Sequence, residues 1–309
     1  MPKRKSQSVW KSDSLQLGLV FDNVMKEKDM KKIFSNMMLM ATLLTGAVIT
    51  SCNNSEEEIV NTDEPAVMTY HMVVNAAKGR GTVTRALSGG EGSALVAEWA
   101  VDEEVYVYND TKAALLGDCL KAKNAGASAT LEGDLTGTIE IGDELVFMYP
   151  KKVIDYTGQD GTLAKISSNY DYALTRAHVS SISGSDINLD AILTFDNMQA
   201  IVRFSLVDNA TGNPINATSL TIDATDGSNS QLLQAYTYGD FASASFGPIT
   251  ITYSPGTNVF YTALSLFSVD SYKYILTATN GTDTYTYEKD DITFEPGYYY
   301  EVTVKMKKK

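Results

Sequence analysis

Cysteine is nearly absent from this 309-residue chain, which holds only Cys52 and Cys119. Two cysteines so far apart exclude a disulfide framework and a CxxC metal pair. Histidine is equally scarce, at His71 and His178, and neither stands in a GxSxG or HExxH motif. A nucleophile needs a base beside it, so no catalytic residue is assigned and a secreted hydrolase has no motif behind it. No segment keeps a 3.6-residue apolar period for three turns, which argues against a helical fold. Positive charge is in the minority: eight of the 25 basic and four of the 38 acidic residues lie in residues 1–51. That leaves 17 basic against 34 acidic residues, a net charge of −17, on the rest of the chain. A surface that acidic repels phosphate backbones, so nucleic acid is not an expected partner.

Tyrosine (18) and glycine (22) are abundant by contrast. Tyr, Thr, Val and Ile suit pleated, half-buried surfaces, and they gather here in short runs parted by Gly, Asn, Asp and Ser. The runs are 68–74, 104–108, 138–141, 145–149, 200–206, 220–222, 249–253, 259–264, 272–279, 283–287 and 298–306. Asn280-Gly281 marks a hairpin turn between two of them. Short strands at this spacing imply an all-β fold of sandwiches rather than βαβ units. The Ser183-Gly184-Ser185-Asp186 stretch is the expected domain break, giving domains at 67–187 and 188–309.

The N-terminus reads as an address. Lys31 and Lys32 precede an apolar stretch through Leu39, Met40, Leu43 and Leu44, shorter than the ~20 residues of a membrane span. The stretch ends in Val48-Ile49-Thr50-Ser51-Cys52, which resembles a lipobox. That implies a signal peptide over 30–51, a diacylglycerol lipid on Cys52 and an outer-membrane anchor. Residues 1–29 show no such pattern and are expected to be an upstream extension, with Met30 as the true start. Residues 52–66 are polar and read as a flexible tether. Its Glu56-Glu57-Glu58 triplet resembles a short signal for the outer face of the outer membrane.

Other candidates carry less. Asp223-Ala224-Thr225-Asp226-Gly227 lacks the spacing and the distal glutamate of a calcium loop, so a turn is expected and no metal site is assigned. Cys119 reads as a small buried hydrophobe. The Lys305–Lys309 tail reads as a solvated terminus. Trp99 and the tyrosine-rich strands are expected in the core, with a sugar-binding platform as the alternative.

Taken in order, several motifs resemble the fimbrillin family of Gram-negative anaerobes, which builds type V pili. After the lipobox come Thr84-Arg85-Ala86, Trp99 leading into Asp102–Tyr108, and Phe147-Met148-Tyr149-Pro150. Then follow residues 193–204, from Leu193-Thr194-Phe195 to Val202-Arg203-Phe204, and Phe294-Glu295-Pro296-Gly297-Tyr298-Tyr299-Tyr300. The resemblance implies two transthyretin-like β-sandwich domains in tandem and a structural, adhesive subunit without cofactor. It implies cleavage by an arginine-specific protease at Arg85, or secondarily Arg80, in the Gly-rich segment 79–92. Cleavage would free strand 68–74, and a donor strand of another pilus subunit would fill the gap. The alternation of Tyr298, Tyr300, Val302, Val304 and Met306 makes the last strand the donor candidate, though it suits this chain's own sheet equally. The chain ends straight after that strand, so a tip or accessory subunit is expected. The alternative function is a surface lipoprotein that binds a glycan, a host ligand or a bacterial surface ligand without polymerising.

Overall fold

The computed structural model describes residues 68–79, 98–150, 153–227, 229–266 and 271–309. The lipobox with Cys52, the signal peptide, the tether, Arg80 and Arg85 lie outside the described residues. The described chain is nearly all β, as expected, with one short helix. The described residues make one compact unit built on two apolar cores.

The first sheet takes β1 (Met68–Lys78), β2 (Glu104–Asn109), β3 (Ala114–Leu115), β4 (Leu120–Ala122), β5 (Ser128–Gly137) and β6 (Glu144–Tyr149). It skips β7 (Val153–Asp155) and the helix α1 (Leu163–Asn169), then adds β8 (Ala173–Ser183), β9 (Asp186–Leu189) and β10 (Leu193–Asn197). Its order is β10-β1-β5-β4-β2-β6-β8-β9, with β3 beside β2. Two further pairings, β10 with β8 and β9 with β1, join the ends, so the sheet closes as a barrel. Closure leaves few edge groups unpaired. Alternate residues point inward, and Trp99, Val105, Leu131, Leu145, Phe147 and Phe195 fill the interior.

The second sheet takes β11 (Ala200–Asp208), β12 (Ala217–Thr225), β15 (Ile249–Thr257), β16 (Val259–Leu264), β17 (Tyr272–Thr279), β18 (Thr284–Ile292) and β19 (Tyr299–Lys308). Strict alternation builds it: Tyr272, Tyr274, Leu276 and Ala278 of β17 face the core, opposite Leu220, Ile222 and Ala224 of β12. The Asn280-Gly281 turn joins β17 to β18 as expected, with the Asn280 side-chain oxygen accepting from the Thr282 and Asp283 amides. A third sheet, β14-β13-β7, uses β13 (Leu233–Thr237) and β14 (Asp240–Phe246) and packs on the same core through Ile154, Leu233 and Tyr236. Buried Gln159 staples the segment after β7 to β16: its amide donates to the carbonyls of Tyr156 and Ala263, and its oxygen accepts from Thr262 and Ala263.

Two expectations change. Ser183-Gly184-Ser185-Asp186 is a hairpin turn between β8 and β9, not a linker, with Gly184 at φ 61°. The change of sheet comes between Asn197 and Ala200 instead, because Leu193 and Phe195 of β10 face the first core. Residues 154–172 meanwhile contribute Tyr156, Ile166, Tyr170 and Tyr172 to the second. Residues 138–141 are not a strand. β5 ends at Gly137, and the buried Asp143 carboxylate gathers the Glu140 amide (2.9 Å) and the Asn109 side chain (2.7 Å) into a turn.

Candidate functional site at the first strand

β1 contains the expected leaving segment and runs beyond it to Lys78. On one side it pairs antiparallel with β5 from Met68 to Ala77, through ten Cα partners. On the other side β9 lies parallel to it at His71 and Met72, and β10 at Ala76, Ala77 and Lys78. Its inward row is Tyr70, Met72, Val74, Ala76 and Lys78, of which all but Val74 are buried. The Tyr70 hydroxyl donates to the Ile139 carbonyl at 3.2 Å. Outside, Val73 is exposed, and His71 meets Asp134 directly opposite on β5, Nδ1 to Oδ1 at 2.9 Å; Met68, which precedes Tyr70 on the inward face, is also exposed. The hydrogen bond that the Asp134 carboxylate accepts raises the His71 pKa above 6.5, helped by the charges of Asp134, Glu132 and Asp186 and opposed by desolvation.

The C-terminal end of β1 is fastened by a buried cation. The Lys78 side chain is fully buried, and its Nζ lies 2.5 Å from Glu103 Oε2 and 2.8 Å from the Glu98 carbonyl. It also lies 4.5 Å from the Trp99 ring centroid and 4.3 Å from that of Tyr149. Ring faces carry negative charge density and attract a desolvated ammonium. The cage walls are held without help from β1. Glu103 accepts from the Ala100 amide (3.0 Å) and the Tyr149 hydroxyl (2.5 Å). Trp99 bridges Gly126 through its backbone and packs edge-on against Tyr149 and Phe195. Beyond the cage the Gly79 amide donates to the Phe195 carbonyl, and Gly79 at φ 87° turns the chain away. Gly79 and Glu98, the described residues on either side of residues 80–97, thus both lie beside the Lys78 cage.

The donor candidates lie in β19 and in the residue before it. Val304 and Met306 are buried, while Tyr300 and Val302 are half-buried. Tyr298 departs from the expected row: it precedes the strand and is 50% exposed, with its ring tilted against Tyr300. Burial pushes the Tyr300 phenol up to about 12, and its oxygen accepts from the Glu295 amide. β19 runs parallel to β11 through eight partners and touches β18 at Tyr285 and Thr286. Its last side chain, Lys308, pairs with Asp283 at 2.7 Å and stays 54% exposed.

The remaining candidates fall as follows. Trp99 is 1% exposed and belongs to the core, so it offers no sugar platform. His178 faces Asp190 at 3.3 Å on the surface. Burial is the main cause that raises the Cys119 thiol pKa, which keeps the reactive thiolate scarce. Asp226 and Thr225 accept from the Asn229 and Gly227 amides, the bonds of a turn. Among the described residues no group of three or more His, Cys, Asp or Glu is placed to hold a metal ion. No helix among them is long and apolar enough to cross a membrane. Sequence reasoning missed Lys78. Its signal was the phase of the strand, since a lysine eight residues after Tyr70 shares Tyr70's face.

No family model matches the chain, and no curated protein matches it. Three solved structures among those that do are a fimbrial assembly protein, a candidate cell adhesion protein and a tip fimbrial protein. The fimbrial assembly protein, from Parabacteroides distasonis, is 14% identical, with 76% of this chain and 91% of that chain covered and a TM-score of 0.39. The cell adhesion candidate, from Bacteroides uniformis, is 11% identical over 77% and 96%, with a TM-score of 0.43. The tip fimbrial protein Mfa3 of Porphyromonas gingivalis is 11% identical over 74% and 83%, with a TM-score of 0.35. These three solved structures, to which this chain is similar, are thus two fimbrial proteins and a cell-adhesion candidate.

Proposed function

We propose that this chain is a structural subunit of a cell-surface fimbria, exported as a lipoprotein on Cys52 and assembled by exchange of its first strand. The observation that carries the proposal is the setting of β1. It is one whole wall of a closed barrel, it supplies an unbroken inward row, and the chain leaves it directly into the segment with Arg80 and Arg85.

The physics follows from that setting. Cutting the chain in the segment after Gly79 leaves β1 held by non-covalent bonds alone. Losing β1 would unpair β5 along ten residues and open the core at Tyr70, Met72 and Ala76. A buried methionine such as Met72 contributes about 1.5–3 kcal/mol by its burial. Unpaired edge groups and an open apolar floor are what an added strand satisfies, with backbone bonds for affinity and alternate side chains for specificity. Subunits linked head to tail in this way form a chain that does not close, which is the form of a filament. The role is architectural and adhesive, and the surface position puts other pilus subunits first among the partners.

The test is the N-terminus and intact mass of the protein shed from native cells. A chain that starts at Ala86, or secondarily at Gly81, supports trimming as the trigger. A chain still starting at a lipidated Cys52 removes the trigger and leaves a non-polymerising surface lipoprotein.

A further inference from the structure

The cage around Lys78 stands out because an apolar residue would have filled the same slot at lower cost. Burying an ammonium beside a carboxylate offers little net stability, and such pairs are best attested as devices that fix register. Among the described residues the Glu98 carbonyl, Trp99, Glu103 and Tyr149 line the cage, and Glu103, Trp99 and Tyr149 each have partners outside β1. With β1 gone, Glu103 would face an empty position with two aromatic faces beside it. An apolar side chain arriving there would leave that carboxylate desolvated without a counter-charge, which is expensive. The site therefore discriminates among strands by chemistry as well as by shape.

We propose that the cage formed by Glu103, the Glu98 carbonyl, Trp99 and Tyr149 is a lysine-recognition site that selects and registers whichever strand fills the β1 slot. Its occupant after exchange is β19 of a second copy, with Lys308 in the place of Lys78. This rests on the strand-exchange reading above. The match is positional. β1 presents Tyr70, Met72, Val74, Ala76 and Lys78 at alternate positions, and β19 presents Tyr300, Val302, Val304, Met306 and Lys308 at the same spacing. The volume lost from methionine to valine at the second position returns from alanine to methionine at the fourth, where the flexible thioether adapts to the gap. A slip by one residue turns every side chain to the wrong face. A slip by two keeps the face and moves the lysine out of the cage, so the cation is the mark that distinguishes the true register. Lys308 is 54% exposed on Asp283 in its own sheet, so freeing the lysine head breaks only a surface pair. Withdrawing β19 also unpairs β11 along eight residues and uncovers Val304 and Met306, losses that the β1 slot must offset.

The test uses the full chain with a specific protease site placed between residues 80 and 97. The cut chain is opened in urea and refolded by dilution with excess labelled peptide of residues 298–309, and uptake is measured after gel filtration. Three peptides are compared: the natural one, a Lys308→Met peptide, and one with the lysine moved to position 306. Uptake of the natural peptide roughly tenfold or more above the other two, with the gap shrinking in a Glu103→Gln host, supports the proposal. Circular dichroism of the uncut Glu103→Gln chain verifies its fold, and Trp99→Phe serves as the host if that variant does not fold. Equal uptake of all three peptides overturns the lysine site and leaves strand exchange standing. No uptake of any peptide by a chain that has lost β1 overturns both.

Discussion

β1 and β19 carry the same kind of inward row, and each has parallel pairing on one side and an antiparallel neighbour on the other. They differ in where the bonds are spent. β1 is tied along its whole length to β5 and bolted at one end by a fully buried lysine among a carboxylate and two rings. β19 is tied along β11, anchored in the core at Val304 and Met306, and its terminal lysine rests on the surface. The apolar pattern of a strand thus says which face goes inward, and its end contacts say how it is held. A strand bolted at one end by a buried cation is thus held differently from one whose end rests on the surface.

The widest separation between the two strands comes from their lysines. Lys78→Ala leaves Glu103 without its counter-charge in a part-buried site, and should lower unfolding free energy by about 3–5 kcal/mol in urea titrations. Lys308→Ala should leave the urea midpoint nearly unmoved, because its pair with Asp283 is exposed. A small effect at Lys78 would break the contrast. Next in size, Met72→Ala and Met306→Ala both empty fully buried positions and should each cost about 2–5 kcal/mol. Similar losses would sharpen the view that the two rows are equivalent and that only the ends differ.

The smallest expected effect is a pH dependence on the outer face of β1. The folded-state pKa of His71 is raised above 6.5, so its pairing with Asp134 stabilises fully below the unfolded value. The contribution fades as pH rises through the raised folded value. In a His71→Asn chain, stability measured from pH 5 to pH 8 should lack this decline. A wild-type and variant difference that stays constant over that window would show that the pair does not fasten β1.

Much of this fold is legible in the chain. Alternating runs such as 104–108 and 272–279 form strands where expected, because a half-buried sheet demands period two. The turn at Asn280-Gly281 follows from its residues. β5 is harder to see because its outward face is charged and it contains Gly133. That glycine is set by the close approach of β4: a Cβ there would come within 2.5 Å of the Cys119 carbonyl oxygen. β10 follows the expected break yet faces the first core, because its parallel partner, β1, is far away in sequence and local pattern does not carry such pairing. Of the candidate site, the strand over 68–74 was legible from its β-prone residues, and the row Tyr300, Val302, Val304 and Met306 of β19 from its alternation. The Lys78 cage was not, since lysine is among the residues least often buried and only the partners Glu103, Trp99 and Tyr149 make burial tolerable.

The closing pairings of the barrel set a timetable as well as a shape. β1 finds its second side only in Asp186 and Ile187 and in Leu193, Thr194 and Phe195. Pairings between segments so distant in the chain form slowly, because the loop entropy is lost before any contact rewards it. The first of the described strands is therefore the last to be locked. Until then β5 offers a free edge, and its capture is a race between a tethered strand at high effective concentration and any strand arriving from outside. Cutting the tether removes that head start, and with it the chain's kinetic preference for its own first strand.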